Sequence, residues 1–179
     1  LEECDVCFLS IPFDSTSTGL STSKLGPTMI KETLKTKEGF VPSVGVNPFV
    51  KLKMCDLGEL EVVPGSYELT AKRIKETVSK VFEKNPKVVL VTLGGEHSIT
   101  LPILKSLPEK FDLVQFDAHK DMRKEYLGNA YAHNTWAYHA NKLEKTRRIT
   151  QVGIRSYSEE EKEIKTNEDL EKVESPVYI

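Results

Sequence analysis

The chain has three cysteines, one tryptophan and 25 basic against 27 acidic residues, a net charge of −2, and no apolar run as long as a bilayer is thick. Each shortage excludes a class. Basic residues interleaved with acidic ones, as in "EEEKEIK", leave no positive stripe for nucleic acid or an anionic membrane surface. A spanning helix needs about 20 consecutive apolar residues, and "LEECDVCFLS" lacks the basic start of a signal peptide. A cytoplasmic protein with a small-molecule partner, no nucleic acid and no membrane is the expectation. Cys4 and Cys7 have the spacing of a zinc or redox pair, but they lie in a strand-like run, where residues three apart point to opposite faces. A zinc site would also want a second pair, so Cys4, Cys7 and Cys55 read as small core residues.

At 179 residues, with 39% hydrophobic and 29% charged side chains, the chain is sized for one folded domain over 1–179. Strand-like runs (6–11, 50–56, 87–93, 111–116, 147–154) alternate with helix-like ones (25–34, 66–84, 98–107, part of 130–145, 158–173). Such alternation predicts a three-layer α/β/α fold with a mainly parallel central sheet. In 66–84, Leu69, Ile74, Val78, Val81 and Phe82 recur near helical spacing and should face the sheet. "VVLVTL" is apolar at nearly every position, as a mid-sheet strand buried on both faces would be. Segment 36–48 is rich in glycine and proline and should be a loop. The chain starts without methionine and stops at "SPVYI", which looks like a strand opening, so both ends look cut.

Two strand ends carry polar clusters. "VVLVTLGGEHSIT" leaves its strand through Gly94 and Gly95, sets Glu96 and His97 in the turn, and opens a helix with Ser98 as a plausible cap. "LVQFDAHKD" ends in Asp117, His119 and Asp121. In open parallel sheets, ligands bind at the carboxyl ends of the strands, so both clusters should reach one edge. Alternate residues Asp117, His119 and Asp121 would share one side of an extended segment and could meet at one point. Imidazole and carboxylate without thiolate suit a divalent ion, manganese ahead of zinc and magnesium, and a bridging Asp117 could hold two. Either motif alone is more often a capping or hydrogen-bonded group; together they favour metal.

"GGEHSIT", followed by "FDAHKD" and "EYLGNAYAH", with "SIPFDSTST…LGPTMIKETL" near the N-terminus, resembles the ureohydrolases, the arginase and agmatinase family. The resemblance implies hydrolysis of guanidino compounds to urea by a hydroxide bridging two Mn2+ ions, in a homo-oligomer, a trimer or hexamer. By position, His97 and Asp121 would hold one ion, Asp117 would bridge, and His119 would hold the second. Asp121 would orient the nucleophile. His133 matches a histidine near the substrate that shuttles protons, although a hydrogen-bonded structural histidine fits the sequence as well. His139 matches nothing in the family and reads as a surface or helix residue. The loop after "DAHKD" looks more like agmatinases than arginases, which puts agmatine first and other guanidino compounds behind it.

Three features depart from the family pattern. Glu96 stands where aspartate is common, "STSTGLSTSKLGP" lacks the usual proline-glycine-arginine pattern, and "HNTW" follows where small residues are common. Two divalent ions also need more charge than Asp117 and Asp121 supply. The family places further carboxylates on a next strand, which would begin at "ESPVYI". The chain should therefore be the N-terminal portion of such a domain, unable by itself to hold both ions tightly or to turn over well. Competing readings are a non-catalytic homologue acting as a scaffold or regulatory subunit, an arginase or other guanidino-acid hydrolase, and a binuclear phosphoesterase.

Overall fold

The computed structural model describes residues 1–164. Along the chain run β1 (Val6–Ile11), α1 (Gly26–Lys35), α2 (Pro48–Lys51), β2 (Met54–Glu59), α3 (Tyr67–Lys84) and β3 (Val89–Gly94). They are followed by α4 (Thr100–Ser106), β4 (Phe111–Phe116), α5 (Trp136–Asn141), β5 (Thr146–Val152) and α6 (Glu159–Lys162). Among the described residues all strand pairs are parallel: β1 lies between β2 and β3, and β4 pairs with β5. Parallel pairing needs a crossover between partners, which the intervening helices supply.

The two faces of β1 define the layers. Leu9 and Ile11 pack with Ile74 and Val78 of α3, while Phe8 and Ser10 line a cleft with Thr28, Lys31 and Leu34 of α1. Alternation along the strand therefore puts α1 and α3 on opposite faces, the expected α/β/α arrangement. A second core gathers Leu101 and Leu104 of α4, Trp136, Ala137 and Ala140 of α5, Met122 and Ile149. On α3 the buried stripe is Thr70, Ile74, Val78 and Val81. Leu69, expected on that stripe, is exposed, because it lies five residues before Ile74 and its helical position turns it well away from the line of Thr70, Ile74, Val78 and Val81.

Three further expectations are corrected. The strand "VVLVTL" is not mid-sheet among the described residues: β3 pairs with β1 alone, and Val89 is exposed. The run 50–56 opens as a helical turn, because Asn47 caps Phe49 N–H and Pro48 presets the first helical φ, so β2 starts only at Met54. Cys4 precedes β1, so strand alternation does not separate it from Cys7. Cys4, Cys7 and Cys55 pack in one cluster with Val81 and Val88, all as free thiols, which keeps them core residues. Of the helix expected over 158–173, only Glu159–Lys162 forms, as α6, with Glu163 as its C-cap; 165–173 and "SPVYI" lie outside the described residues. Among the described residues no helix is long and apolar enough to cross a membrane.

The exits of β1 and β3 are fastened together. Gly95 N–H donates to Ile11 O at 3.0 Å and Glu96 N–H to Phe13 O at 2.8 Å. A Cβ at Gly95 would stand 2.1 Å from Phe13 O, so the close approach requires glycine. Gly95→Ala is expected to part these backbones, destabilising the chain by about 1–3 kcal/mol. The midpoint of urea unfolding, at unchanged slope, measures it.

Candidate metal centre

His97 leaves β3 in a single 3-10 turn, His97–Ile99, that leads into α4. Asp117 and Asp121 follow β4. The carboxyl ends of the two strands converge as expected, although β3 and β4 are not hydrogen-bonded to each other. His97 Nδ1 lies 3.2 Å from Asp117 Oδ2 and 3.0 Å from Asp121 Oδ2. One ligand atom from each of the three residues fits within a mutual 4.8 Å. A ring nitrogen carries at most one hydrogen, so Nδ1 cannot satisfy two carboxylates at once. Two anionic oxygens drawn to one nitrogen make a place for a cation, and the oxygen and nitrogen donors suit a hard or borderline divalent ion. Among the described residues, this group of three or more potential ligands contains no cysteine.

His119 does not join that point. The segment is not extended, because Asp121 turns into the left-handed region at φ 53°. Asp121 thereby swings onto His97 and His119 is left outward, its side chain 66% exposed. It faces the other oxygen of Asp117, with Nδ1 3.4 Å from Oδ1, while its backbone N–H donates to that same oxygen at 2.8 Å. Asp117 thus presents Oδ2 to His97 and Oδ1 to His119.

The two aspartates are held by partners that the sequence did not single out. Trp136 Nε1–H donates to Asp121 Oδ2 at 2.8 Å, and its ring packs on His97 with centroids 4.5 Å apart. Gln115 donates to Asp117 Oδ2 and to His119 O, and Gln151, its register partner on β5, donates to Gln115 Oε1 and Lys120 O. Buried Glu161 accepts from Met122 N–H and also closes the capping box of α6 with Ser158. The Lys120 ammonium donates to Glu161 O and Ile164 O. Tryptophan in "HNTW" was visible as a departure from the family pattern, and that departure is the residue that grips Asp121.

Glu96, nearly fully buried, links the site to the loop after β1. Its Oε2 accepts from Ser15 N–H at 2.6 Å and Thr16 N–H at 2.5 Å, and its Oε1 from the hydroxyls of Thr16 at 2.9 Å and Ser98 at 2.5 Å. Ser98, expected as a helix cap, instead sits inside the 3-10 turn and serves Glu96. Thr16 in turn meets His133, whose backbone N–H donates to Thr16 Oγ1 at 2.9 Å and whose Nδ1 lies 3.3 Å from it. The His133 ring stands edge-on to Tyr126. His139 lies in α5, as expected of a helix residue, with Nε2 at 2.7 Å from Ala130 O and flanked by Tyr131 and Tyr138. Burial pushes its pKa below the usual imidazole value, which suits a neutral structural role.

Residues 4–175 match the family described as arginase. The chain belongs to the arginase family. Among arginase-family relatives, it is 32% identical to the N(1)-aminopropylagmatine ureohydrolase of Thermococcus kodakarensis, over 99% of this chain and 60% of that protein. It is 30% identical to the agmatinase of Pyrococcus horikoshii, over 99% and 61%. The fold superposes on the agmatine ureohydrolase of Thermoplasma volcanium with a TM-score of 0.81 and 37% identity, covering 91% of this chain and 54% of that one. The chain thus spans about half to three-fifths of the length of the relatives it matches.

Glu96→Ala would strip a common acceptor from the Ser15 and Thr16 amides. Because a hydrogen bond to a charged group contributes about 1.5–3 kcal/mol, exchange of those two amides should speed by about 10- to 100-fold. Hydrogen-exchange NMR reads this directly, with the α3 core amides as reference.

Proposed function

We propose that the protein carrying this chain hydrolyses a guanidino compound to urea and an amine, with agmatine the first substrate to test and Mn2+ the working metal. The observation that carries the reading is the His97, Asp117 and Asp121 cluster, three ligand atoms within 4.8 Å at the carboxyl ends of two parallel strands. The names of the relatives support the substrate class. The geometry favours a working site over a scaffold role, since a scaffold has no need to hold two carboxylates against one imidazole nitrogen. The family resemblance adds a homo-oligomeric, cytoplasmic setting to the proposal.

In this reading His97, Asp117 and Asp121 would hold one ion, and His119 beside Asp117 would contribute to holding a second. A guanidinium carbon is a poor electrophile because its charge is delocalised, and a bound divalent ion supplies what water lacks by lowering its pKa toward neutrality. The protein's own groups do the rest. Trp136 and Gln115 fix the carboxylate oxygens, Asp121 orients the attacking group, and His133 carries a proton toward the departing amine. Buried partners of metal ligands typically contribute about 10- to 100-fold in affinity.

Two outcomes test this. Mn2+ titration of the chain, followed by electron paramagnetic resonance, should show a site that Asp121→Asn and Asp117→Asn weaken by at least about 100-fold, and Trp136→Phe by about tenfold. Mn2+ binding indifferent to all three substitutions would sink the metal assignment. In the protein that carries this chain, urea release should depend on added Mn2+ and be faster with agmatine than with arginine or guanidinobutyrate. Preference for arginine would keep the chemistry and overturn the substrate.

A further inference from the structure

The Thr16 hydroxyl makes three contacts, and it has one hydrogen and two lone pairs to make them with. It faces Glu96 Oε1 at 2.9 Å, the backbone N–H of His133 at 2.9 Å, and His133 Nδ1 at 3.3 Å. The backbone N–H can only donate, which takes one lone pair. The remaining question is where the single hydroxyl hydrogen goes, to Glu96 or to His133.

The geometry and the charge agree. Glu96 Oε1 is the shorter contact, and a hydrogen bond to a carboxylate is roughly twice as strong as one between neutral groups. Glu96 is nearly fully buried, and both of its oxygens already collect donors, Ser15 N–H and Thr16 N–H on Oε2 and the Ser98 hydroxyl on Oε1. A carboxylate so placed acts as acceptor toward all of them. The Thr16 hydrogen therefore points at Glu96, and its second lone pair faces His133 Nδ1, which must then carry a hydrogen to make the contact.

We infer that Thr16 is a positioning residue that fixes His133 as the Nδ1–H tautomer, leaving Nε2 bare as the atom that takes up and delivers a proton. Because a single hydroxyl grips both the backbone and the ring of His133, it sets the ring's direction as well as its tautomer. Nothing near His133 in the sequence announces this, as the two residues are 117 positions apart. The inference deepens the proposed proton-shuttle role of His133 and rests on that reading for its catalytic meaning. The tautomer itself is a property of the chain that can be measured without metal, substrate or turnover.

The experiment is long-range 1H–15N correlation of the histidine side chains in the 179-residue chain, at about pH 8, where an ordinary imidazole is neutral. His133→Asn assigns the signal among the four histidines. The expected spectrum has His133 Nδ1 in the protonated region and Nε2 in the unprotonated one. Thr16→Val, which keeps the shape and removes the hydroxyl, should shift the population toward the Nε2–H form, and Thr16→Ser should restore the wild-type pattern. A wild-type His133 in the Nε2–H form overturns the inference, whatever the variants do, and so does a Thr16→Val spectrum unchanged in a folded chain. If Thr16→Val fails to fold, the wild-type spectrum and Thr16→Ser decide. A chain that binds no Mn2+ yet shows the Nδ1–H form would separate failure of the metal reading from failure of this one.

Discussion

Two carboxylates pressed against one imidazole nitrogen set the terms for the rest of this molecule. Asp117 and Asp121 both reach His97 Nδ1 at about hydrogen-bond distance, and like charges so close repel unless something holds them. Bringing Asp121 there requires a left-handed residue at φ 53°, a conformation that costs roughly 1–2 kcal/mol for a side chain with a Cβ, though aspartate is among those that tolerate it. The surrounding bonds offset that cost. Trp136 Nε1–H takes one Asp121 oxygen, the neighbouring Met122 N–H is tied to Glu161, and the Asp121 backbone oxygen accepts from Ala137 and Tyr138 at the start of α5. These bonds hold Asp121 in a conformation that an unfastened turn would relax.

The fastening comes from two buried glutamates placed on opposite sides of the centre in sequence. Glu96 binds the loop after β1 to the turn that carries His97, and Glu161 binds α6 to the segment that carries Asp121. Each satisfies its charge with N–H or O–H donors rather than with a buried cation alone, which avoids much of the desolvation penalty of an interior ion pair. Arg123 does approach Glu161, at 3.7 Å, with its own side chain about one-third exposed. The turn that carries His97 and the segment that carries Asp121 are thus each tied to a second part of the chain. The glycine at position 95 belongs to the same device, since only its missing side chain lets Phe13 and Glu96 come within reach.

Much of this was legible in the residues. The alternation of apolar runs and amphipathic segments gave the layers, and the polar clusters after "VTL" and "VQF" pointed to one sheet edge because parallel strands end on the same side. What failed to show were features that depend on direction rather than on composition. The extended-segment reading put Asp117, His119 and Asp121 on one point, and a single positive φ redirected them. An apolar run does not say whether its strand has one neighbour or two, so the place of β3 within the sheet was not readable. The grips of Trp136 on Asp121 and of Thr16 on His133 link positions 15 and 117 residues apart, and no local periodicity encodes such pairs.

The site is asymmetric, and charge explains how that asymmetry bears on the proposed chemistry. On the His97 side two carboxylates and an imidazole converge, partly buried, with the donors of Trp136 and Gln115 holding their orientation. On the His119 side the described residues offer one oxygen of Asp117 and an imidazole that is two-thirds exposed to water. A dication on the first side would meet two negative charges in a low-dielectric setting, whereas on the second it would share one of them and stay largely hydrated. The Coulomb energy of a charge pair scales inversely with the effective dielectric, so the two positions differ in both charge and screening. Of the two sides, the described residues therefore favour the first for a cation, and on the second a dication would lack carboxylates beyond Asp117.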